Sequence, residues 1–446
     1  MIVGFPQVEC TSDRISIIHR YNYKYLKRRC RAVSNGDIIV SLDIGTSKVR
    51  AIIGEISDNS INIIGVGTAD SEGIRKGAIV DIDQTVLSIK NAIEHAERMV
   101  DIEISEVYVG IQGSHIGVQT NHGVVAVSNE DREIGEEDIE RVLQAAKVVT
   151  LPPDREIINL VPKQYIVDGL EGISDPRGMI GVRLEVEATV ITGAKSAVHN
   201  LVRCVDKAGL KINGVILLTL ASGVMTLSKD EKEAGTALID IGGGSTTIAI
   251  YEQGGIAAIS SLPIGGQFVT NDIAYGLRSQ SDHAEKIKLK FGCANIADAA
   301  EEVRFKVTRM GSNVEKEFSQ KDLASIIEPR MQEIFQLIKA EITALGYGDK
   351  VDSYVLTGGS VSLPGTLSLA QAELDASVRI ALPDFIGVKD PSYSSGVGMI
   401  QYVSKYMGVR GASTTTKKPV SRKGNNPASS KPRMLERIKN MFQEFI

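Results

Sequence analysis

The chain has 446 residues, more than one hydrophobic core ordinarily organises, so two or more domains are expected. Its 43% hydrophobic and 24% charged residues are those of a globular protein, and it holds no stretch of about eighteen apolar residues that would span a membrane. A net charge of −5 argues against a whole-chain nucleic-acid binder, and Cys10, Cys30, Cys204 and Cys293 lack the Cys-x-x-Cys spacing of a zinc site or disulfide framework, which points to a reducing cytosol.

Residues 1–36 carry Arg14, Arg20, Lys24, Lys27, Arg28, Arg29 and Arg31 against only Glu9 and Asp13. They read as a basic extension outside the fold, or as a patch for anionic lipid or nucleic acid. From Asp37 the pattern becomes strand, turn, strand. The apolar run Ile38 to Leu42 enters Asp43-Ile44-Gly45-Thr46-Ser47-Lys48, and a further strand covers 61–70. A helix is predicted over 83–100 from the stripe Val86, Ile89, Ile93, Ala96 and Val100, followed by a strand at 106–111. Residues 113–197 read as an inserted small α+β unit. It has a strand pair near 118–127, a helix over 136–149 and strands at 157–165 and 182–192. A helix over 197–208 returns to the first domain.

The second half repeats the opening layout. Thr236 to Ile239 lead into Asp240-Ile241-Gly242-Gly243-Gly244-Ser245 and another strand. Helices are predicted over 281–291 and 322–345, the second kinking or restarting at Pro329. A strand at 354–357 runs into Gly358-Gly359-Ser360, and a helix over 393–407 closes the folded part. The expected division is a first domain of 37–112, 198–230 and 380–408, the insert at 113–197, and a second domain of 231–379. Residues 409–430 form a polar, basic linker. In 431–446, Met434, Leu435, Ile438, Met441, Phe442, Phe445 and Ile446 fall on one stripe of an α-helix, suited to a membrane surface or to a protein groove.

Two Asp-Ile-Gly turns in the same local context, with a Gly-Gly turn after a third apolar run, read as the lips and floor of a nucleotide cleft. A polyphosphate needs backbone N–H donors that approach closely, which the glycines at 45 and 242–244 permit through small size and tolerance of positive φ. Thr46, Ser47, Ser245 and Thr246 offer hydroxyls, and Lys48 a compact positive charge. Asp43 and Asp240 suit the waters around Mg²⁺. Each turn alone also fits an ordinary tight hairpin. Glu285 and Lys288, three apart on a helix, either hold ribose hydroxyls or form a solvated ion pair. Neither a P-loop nor a Rossmann glycine signature is present.

The two hairpins and the Thr-Gly-Gly turn resemble the actin/Hsp70/sugar-kinase ATPase superfamily. Within it, SLDIGTSKVRAIIGEI, NLVPKQYIVDG, PRGMIGVRLEVEATVIT, LIDIGGGSTTIAIYEQGGI and SDHAEKIKLKFG are similar to the FtsA family of bacterial cell-division proteins, over residues 37–408 and into the tail. The resemblance implies an α/β, actin-like (ribonuclease H-like) two-domain fold in which one subdomain is replaced by the insert. It implies ATP and Mg²⁺ between the domains, polymerisation, tethering of FtsZ to the cytoplasmic face of the inner membrane through the terminal helix, recruitment of later divisome proteins, and no nucleic-acid partner. By position, Asp43, Gly45, Thr46, Ser47 and Lys48 match the first phosphate hairpin, and Asp240, Gly242, Gly243, Gly244 and Ser245 the second. Glu285 and Lys288 match the ribose-contacting helix, and Gly358 and Gly359 the adenosine turn.

One departure from the superfamily bears on catalysis. The connecting segment Leu217-Leu218-Thr219-Leu220-Ala221-Ser222-Gly223 lacks the usual Glu or Gln that orients water. No catalytic residue is assigned, and slow hydrolysis is expected. A pilus-assembly actin homologue or a small-molecule kinase of the same superfamily is the alternative. A kinase would need a catalytic Asp over a small-molecule cleft and has no use for the amphipathic tail, and the pilus-assembly homologues usually lack such a terminal helix.

Overall fold

The computed structural model describes residues 37–57, 60–308 and 315–407. The basic extension, the linker 409–430 and the amphipathic stripe from Met434 to Ile446 lie outside them. The described chain opens with a meander, β1 (Asp37–Ile44), β2 (Lys48–Ser57) and β3 (Ser60–Asp70). Continuous apolar runs such as Ala51-Ile52-Ile53 give strands buried on both faces. A two-stranded ribbon, β4 (Ile74–Arg75) and β5 (Ala78–Ile79), precedes α1 (Ile82–Val100). Asp81 caps α1 by accepting from the Gln84 N–H at 3.0 Å, and the helix buries Ile89, Ile93, Ala96 and Val100 against the sheet. β6 (Glu106–Ile111) then lies parallel to β1.

The insert holds β7 (Ile116–Ala126), α2 (Glu136–Ala146), β8 (Arg155–Val167), β9 (Leu170–Ile173) and β10 (Arg183–Ala194). Its antiparallel sheet runs β7-β10-β8-β9. Ile139, Val142 and Leu143 of α2 pack in one core with Leu184, Val186 and Ala188 of β10. The strand pair expected near 118–127 is instead one continuous strand, paired along its length with β10. Gly123, a natural turn residue, is where α2 presses on that strand: a Cβ there would stand 2.3 Å from the Val142 carbonyl oxygen.

The chain returns through α3 (Lys195–Lys207) and β11 (Lys211–Leu217), completing a five-stranded sheet in the order β11-β6-β1-β2-β3. α4 (Leu218–Thr226) and the short α5 (Lys229–Ala234) lead out of it.

The second lobe repeats the first. Its meander is β12 (Thr236–Ile241), β13 (Thr246–Glu252) and β14 (Gly255–Leu262). Then come α6 (Gly266–Leu277), α7 (Ser281–Phe291), a ribbon of β15 (Arg304–Thr308) and β16 (Glu315–Ser319), and α8 (Gln320–Ala344). β17 (Ser353–Thr357), α9 (Thr366–Leu374), β18 (Ser377–Ile380) and α10 (Ser394–Tyr402) follow. The sheet order β14-β13-β12-β17-β18 reproduces that of the first lobe: a three-stranded meander, then two strands added parallel on the side of its first strand.

α8 does not restart at Pro329. Leu323 and Ile327 before the proline, and Met331, Ile334, Phe335, Ile338 and Ile342 after it, are all buried on the second-lobe core. Each contributes roughly 1.5–3 kcal/mol, against about 3 kcal/mol for an interior proline, so burial carries the helix through. The helix expected over 393–407 is α-helical to Tyr402 and ends in a π-turn, Val403–Met407. α10 lays Val397, Met399 and Ile400 on Ile39 and Ile52 of the first sheet. It also crosses α4 so closely that a Cβ on Gly398 would be 2.3 Å from the Ala221 carbonyl oxygen.

Candidate functional site

The β1–β2 and β12–β13 turns are built alike. Gly45 N–H donates to the Lys48 carbonyl at 3.1 Å, and Gly242 N–H to the Ser245 carbonyl at 3.0 Å. Though they close different sheets, they meet. A Cβ on Gly243 would stand 1.9 Å from Ser47 Oγ, and one on Gly244 2.6 Å from Thr46 Cγ2. None of Gly45, Gly242, Gly243 and Gly244 has a positive φ. The expected left-handed turns are therefore replaced by another requirement: the opposing hairpin occupies the space where side chains would be. A polyphosphate between the hairpins needs them to part, and would then meet bare backbone and the hydroxyls of Thr46, Ser47 and Ser245.

Behind the turns stand two carboxylates. Asp43 and Asp240 occupy the penultimate positions of β1 and β12. Burial, then the negative charge of Asp43, pushes the Asp240 carboxyl up to about 6. Burial likewise raises Asp43, with Arg50 pulling in the other direction. Arg50 sits opposite Asp43 in the hairpin register and places its guanidinium 5.3 Å from the Tyr393 ring centre. Ser395 Oγ donates to Asp240 Oδ2 at 3.3 Å and lies 3.0 Å from Ser222 Oγ. Asp43 Oδ1 is buried without a hydrogen bond. Two acids, Asp43 buried with an orphaned oxygen and Asp240 half-buried, suit a hydrated hard cation. Among the described residues no three carboxylate, histidine or cysteine side chains cluster as direct ligands, so such a cation would be held largely through its waters.

The β17 turn supplies the third wall. Gly358 has a φ of 94°, and a Cβ there would lie 2.3 Å from Asp240 Oδ1, so glycine is required on both counts. Gly359 opens a 3₁₀ turn whose Ser360 Oγ donates to the Gly242 carbonyl at 2.9 Å. The same carbonyl accepts from Gly266 N–H at 2.9 Å, and the Gly243 carbonyl from Gln267 N–H at 2.8 Å, anchoring the start of α6 on the second hairpin. α7 carries Glu285 and Lys288 on one face. The buried Lys288 Nζ lies 2.7 Å from Glu285 Oε2, 2.7 Å from Thr270 Oγ1 and 3.0 Å from the Gly266 carbonyl.

Lys48 is placed otherwise than its sequence position implied. Its ammonium is 2.5 Å from Asp70, in a surface hollow with Glu72, Asn91 and His95. Asp70 is its cross-strand partner on β3 and claims the charge. The connecting segment forms α4, where the Thr219 carbonyl accepts from Tyr251 Oη at 2.9 Å. A cavity of about 220 Å³ lies on the first-lobe side of Thr46, bordered by Ile79, Gln112, His115 and Leu201, and not between the hairpins, which are in contact. Sequence reading missed Arg50, although pairing across the turn sets it opposite Asp43. It gave Ser360 of the Gly-Gly-Ser turn no role, and it missed Ser395, which no local signal marks.

A family model for cell division protein FtsA matches residues 237–398, and one for the SHS2 domain inserted in FtsA matches residues 113–192. Cell division protein FtsA of Bacillus subtilis (strain 168) is 48% identical over 387 residues, covering 87% of this chain and 88% of that protein. The FtsA of Pseudomonas aeruginosa is 40% identical over 423 residues, covering 92% and 99%, and that of Escherichia coli (strain K12) 36% over 379, covering 82% and 90%. Among solved structures, the PilM–PilN type IV pilus biogenesis complex is similar at a TM-score of 0.56 and 15% identity, over 81% of this chain and 97% of that one. MreB5 of Spiroplasma citri bound to ADP is similar at 0.50 and 13%, over 82% and 96%. The duplicated sheets and their facing hairpins are an actin-like α/β fold, with an inserted α+β subdomain. The chain belongs to the FtsA family of cell division proteins.

Proposed function

We propose that this chain is an ATP-binding membrane adaptor that polymerises on the inner face of the cell membrane, tethers FtsZ filaments there and recruits later divisome proteins. The observation that carries the nucleotide part is the apposition of the two hairpins at Ser47 and Gly243. In this reading Thr46, Ser47, Gly45 and Gly242 to Ser245 hold the phosphates, Glu285 and Lys288 face the ribose, and Gly358 and Gly359 face the adenosine. Asp43 and Asp240 hold the waters of Mg²⁺, which when bound neutralises phosphate charge. With no carboxylate or amide in Leu217–Gly223, ATP serves more as a conformational ligand than as fuel.

The membrane part rests on sequence. Among the described residues no helix is long and apolar enough to cross a membrane, and the amphipathic stripe from Met434 to Ile446 suits a peripheral anchor. Basic residues near an anionic leaflet contribute about 1 kcal/mol each, whereas ordering a helix costs on the order of 1 kcal/mol per residue. One tail therefore binds modestly, and a polymer presenting many binds far more tightly through effective concentration.

On anionic lipid monolayers with ATP, the full chain is expected to form filaments visible by electron microscopy and to retain FtsZ. A chain ending at residue 430 should keep ATP binding and lose the surface. Replacing Phe442 and Phe445 by Glu should act like the truncation. Surface binding by the truncated chain would move the anchor elsewhere, the basic N-terminus first.

A pH dependence follows from Asp240. A cation binds there only once the proton has left, so Mg²⁺-dependent ATP affinity should weaken as pH falls through about 6. Titrations at pH 7.5 and 5.5 with equal affinity would remove Asp240 from the cation site.

A further inference from the structure

We infer that Lys76, at the tip of the β4–β5 ribbon, is the cation that recognises the terminal phosphate of a nucleoside triphosphate; this rests on the nucleotide reading above. The ribbon of the first lobe reaches both hairpins. Gly77 N–H donates to Thr46 Oγ1 at 3.1 Å, and a Cβ on Gly77 would be 3.4 Å from Ser245 Oγ. Lys76 itself is exposed and has a φ of 50°, a left-handed conformation unusual for lysine. Its side chain reaches from the first lobe to the second. Its ammonium stands 5.7 Å from the ring centre of Phe268, in the first turn of α6 on the second lobe.

The other cations around the hairpins are already engaged. Lys48 is paired with Asp70, Lys288 is buried on Glu285, and Arg50 stands beside Asp43 and Asp240. Lys76 forms no ion pair among the described residues, only the weaker contact with the Phe268 face. It thus carries an uncompensated positive charge beside hydroxyls suited to phosphate.

Position along the cleft selects the phosphate. Ser360, at the nucleoside end, donates to the Gly242 carbonyl. β17, which carries the Gly358 wall, adjoins β12, whereas the ribbon meets Ser245 at the entry to β13, on the side of the hairpin away from β17, together with Thr46. A ligand laid from the Gly358 wall along the turn would bring its last phosphoryl group, and not its first, to the ribbon. Leaving the aromatic face for a phosphate exchanges a cation–π contact for a charge-assisted hydrogen bond, so the ribbon would report whether that group is present.

The test is equilibrium binding of MgATP and MgADP to the full chain, to Lys76→Ala and to Lys76→Arg, with thermal melting as the check on folding. Lys76→Ala should lose about tenfold or more in ATP affinity, the scale of one charge-assisted hydrogen bond, with ADP affinity unchanged. Lys76→Arg should retain most of the ATP affinity. Wild-type ATP affinity in Lys76→Ala, or equal losses for ATP and ADP, would overturn the assignment and leave the cleft standing. A parent chain that binds neither nucleotide would overturn the cleft reading and this inference with it.

Discussion

Replacing Asp240 with alanine should abolish nucleotide binding and leave the protein as stable as its parent or more so. At neutral pH Asp240 is ionised, although burial and the neighbouring Asp43 resist that charge. A carboxyl moved from 3.8 to about 6 stores on the order of 3 kcal/mol in the ionised form. Truncation removes this burden, and against it stands the Ser395 hydroxyl, which loses its acceptor at about 1 kcal/mol. The sign of the pH dependence agrees. The folded chain holds the Asp240 proton more tightly than the unfolded chain, so this group makes stability fall as pH rises from about 4 to 6, after which its effect is constant. Calorimetric titration with MgATP and a melting curve at pH 7.5 separate the two outcomes. Unchanged affinity would defeat the cleft assignment, and a markedly lower melting temperature would mean that Asp240 is a structural group.

Gly243→Val is expected to act through geometry alone. A Cβ at this position stands 1.9 Å from Ser47 Oγ, and valine adds two further methyl groups. The hairpins must separate, at a cost of about 1–3 kcal/mol for overpacking, and the new side chain then fills the space that a phosphate would use. ATP binding should fall below detection while the sheets beyond the turn and the helices α1 and α8 stay folded. Combining it with Ser47→Gly removes the clashing oxygen and should restore stability more than binding, because the valine still occupies the cleft. Melting of both variants together with ATP titration checks this; a Gly243→Val chain that binds ATP normally would mean that the hairpins do not flank the ligand.

The features legible in the sequence were those set by short-range physics. Asp43 and Asp240 fall at strand ends because apolar runs and glycines determine a strand, a turn and a strand within a dozen residues. The helix over Ser281–Phe291 was bounded correctly because its polarity pattern and the following Gly292 lie in one window. Partners chosen over long distances were not legible. β7 pairs with a strand that arrives after α2, β8 and β9, and Gly123 looks like a turn until α2 is seen resting on it. Lys48 had the right position for a phosphate ligand, but its charge was taken by Asp70, whose opposition depends on the register of β2 and β3. Ser395 reaches Asp240 from 155 residues further along the chain, through the placement of α10. The ribbon at Lys76 was invisible for a different reason: four residues of strand give no pattern to read.

The chain passes between the two lobes twice, through α4 and through α10, and these two helices cross. Ala221 and Gly398 bring the two backbones together with no side chain between them, so the helices have little room to slide. Were the hairpins to part, both links between the lobes would leave from that one crossing, and a small angular separation there would become a larger sweep at the outer edges of the sheets. In a string of subunits joined at those edges, the curvature of the whole string would follow from the occupancy of each cleft.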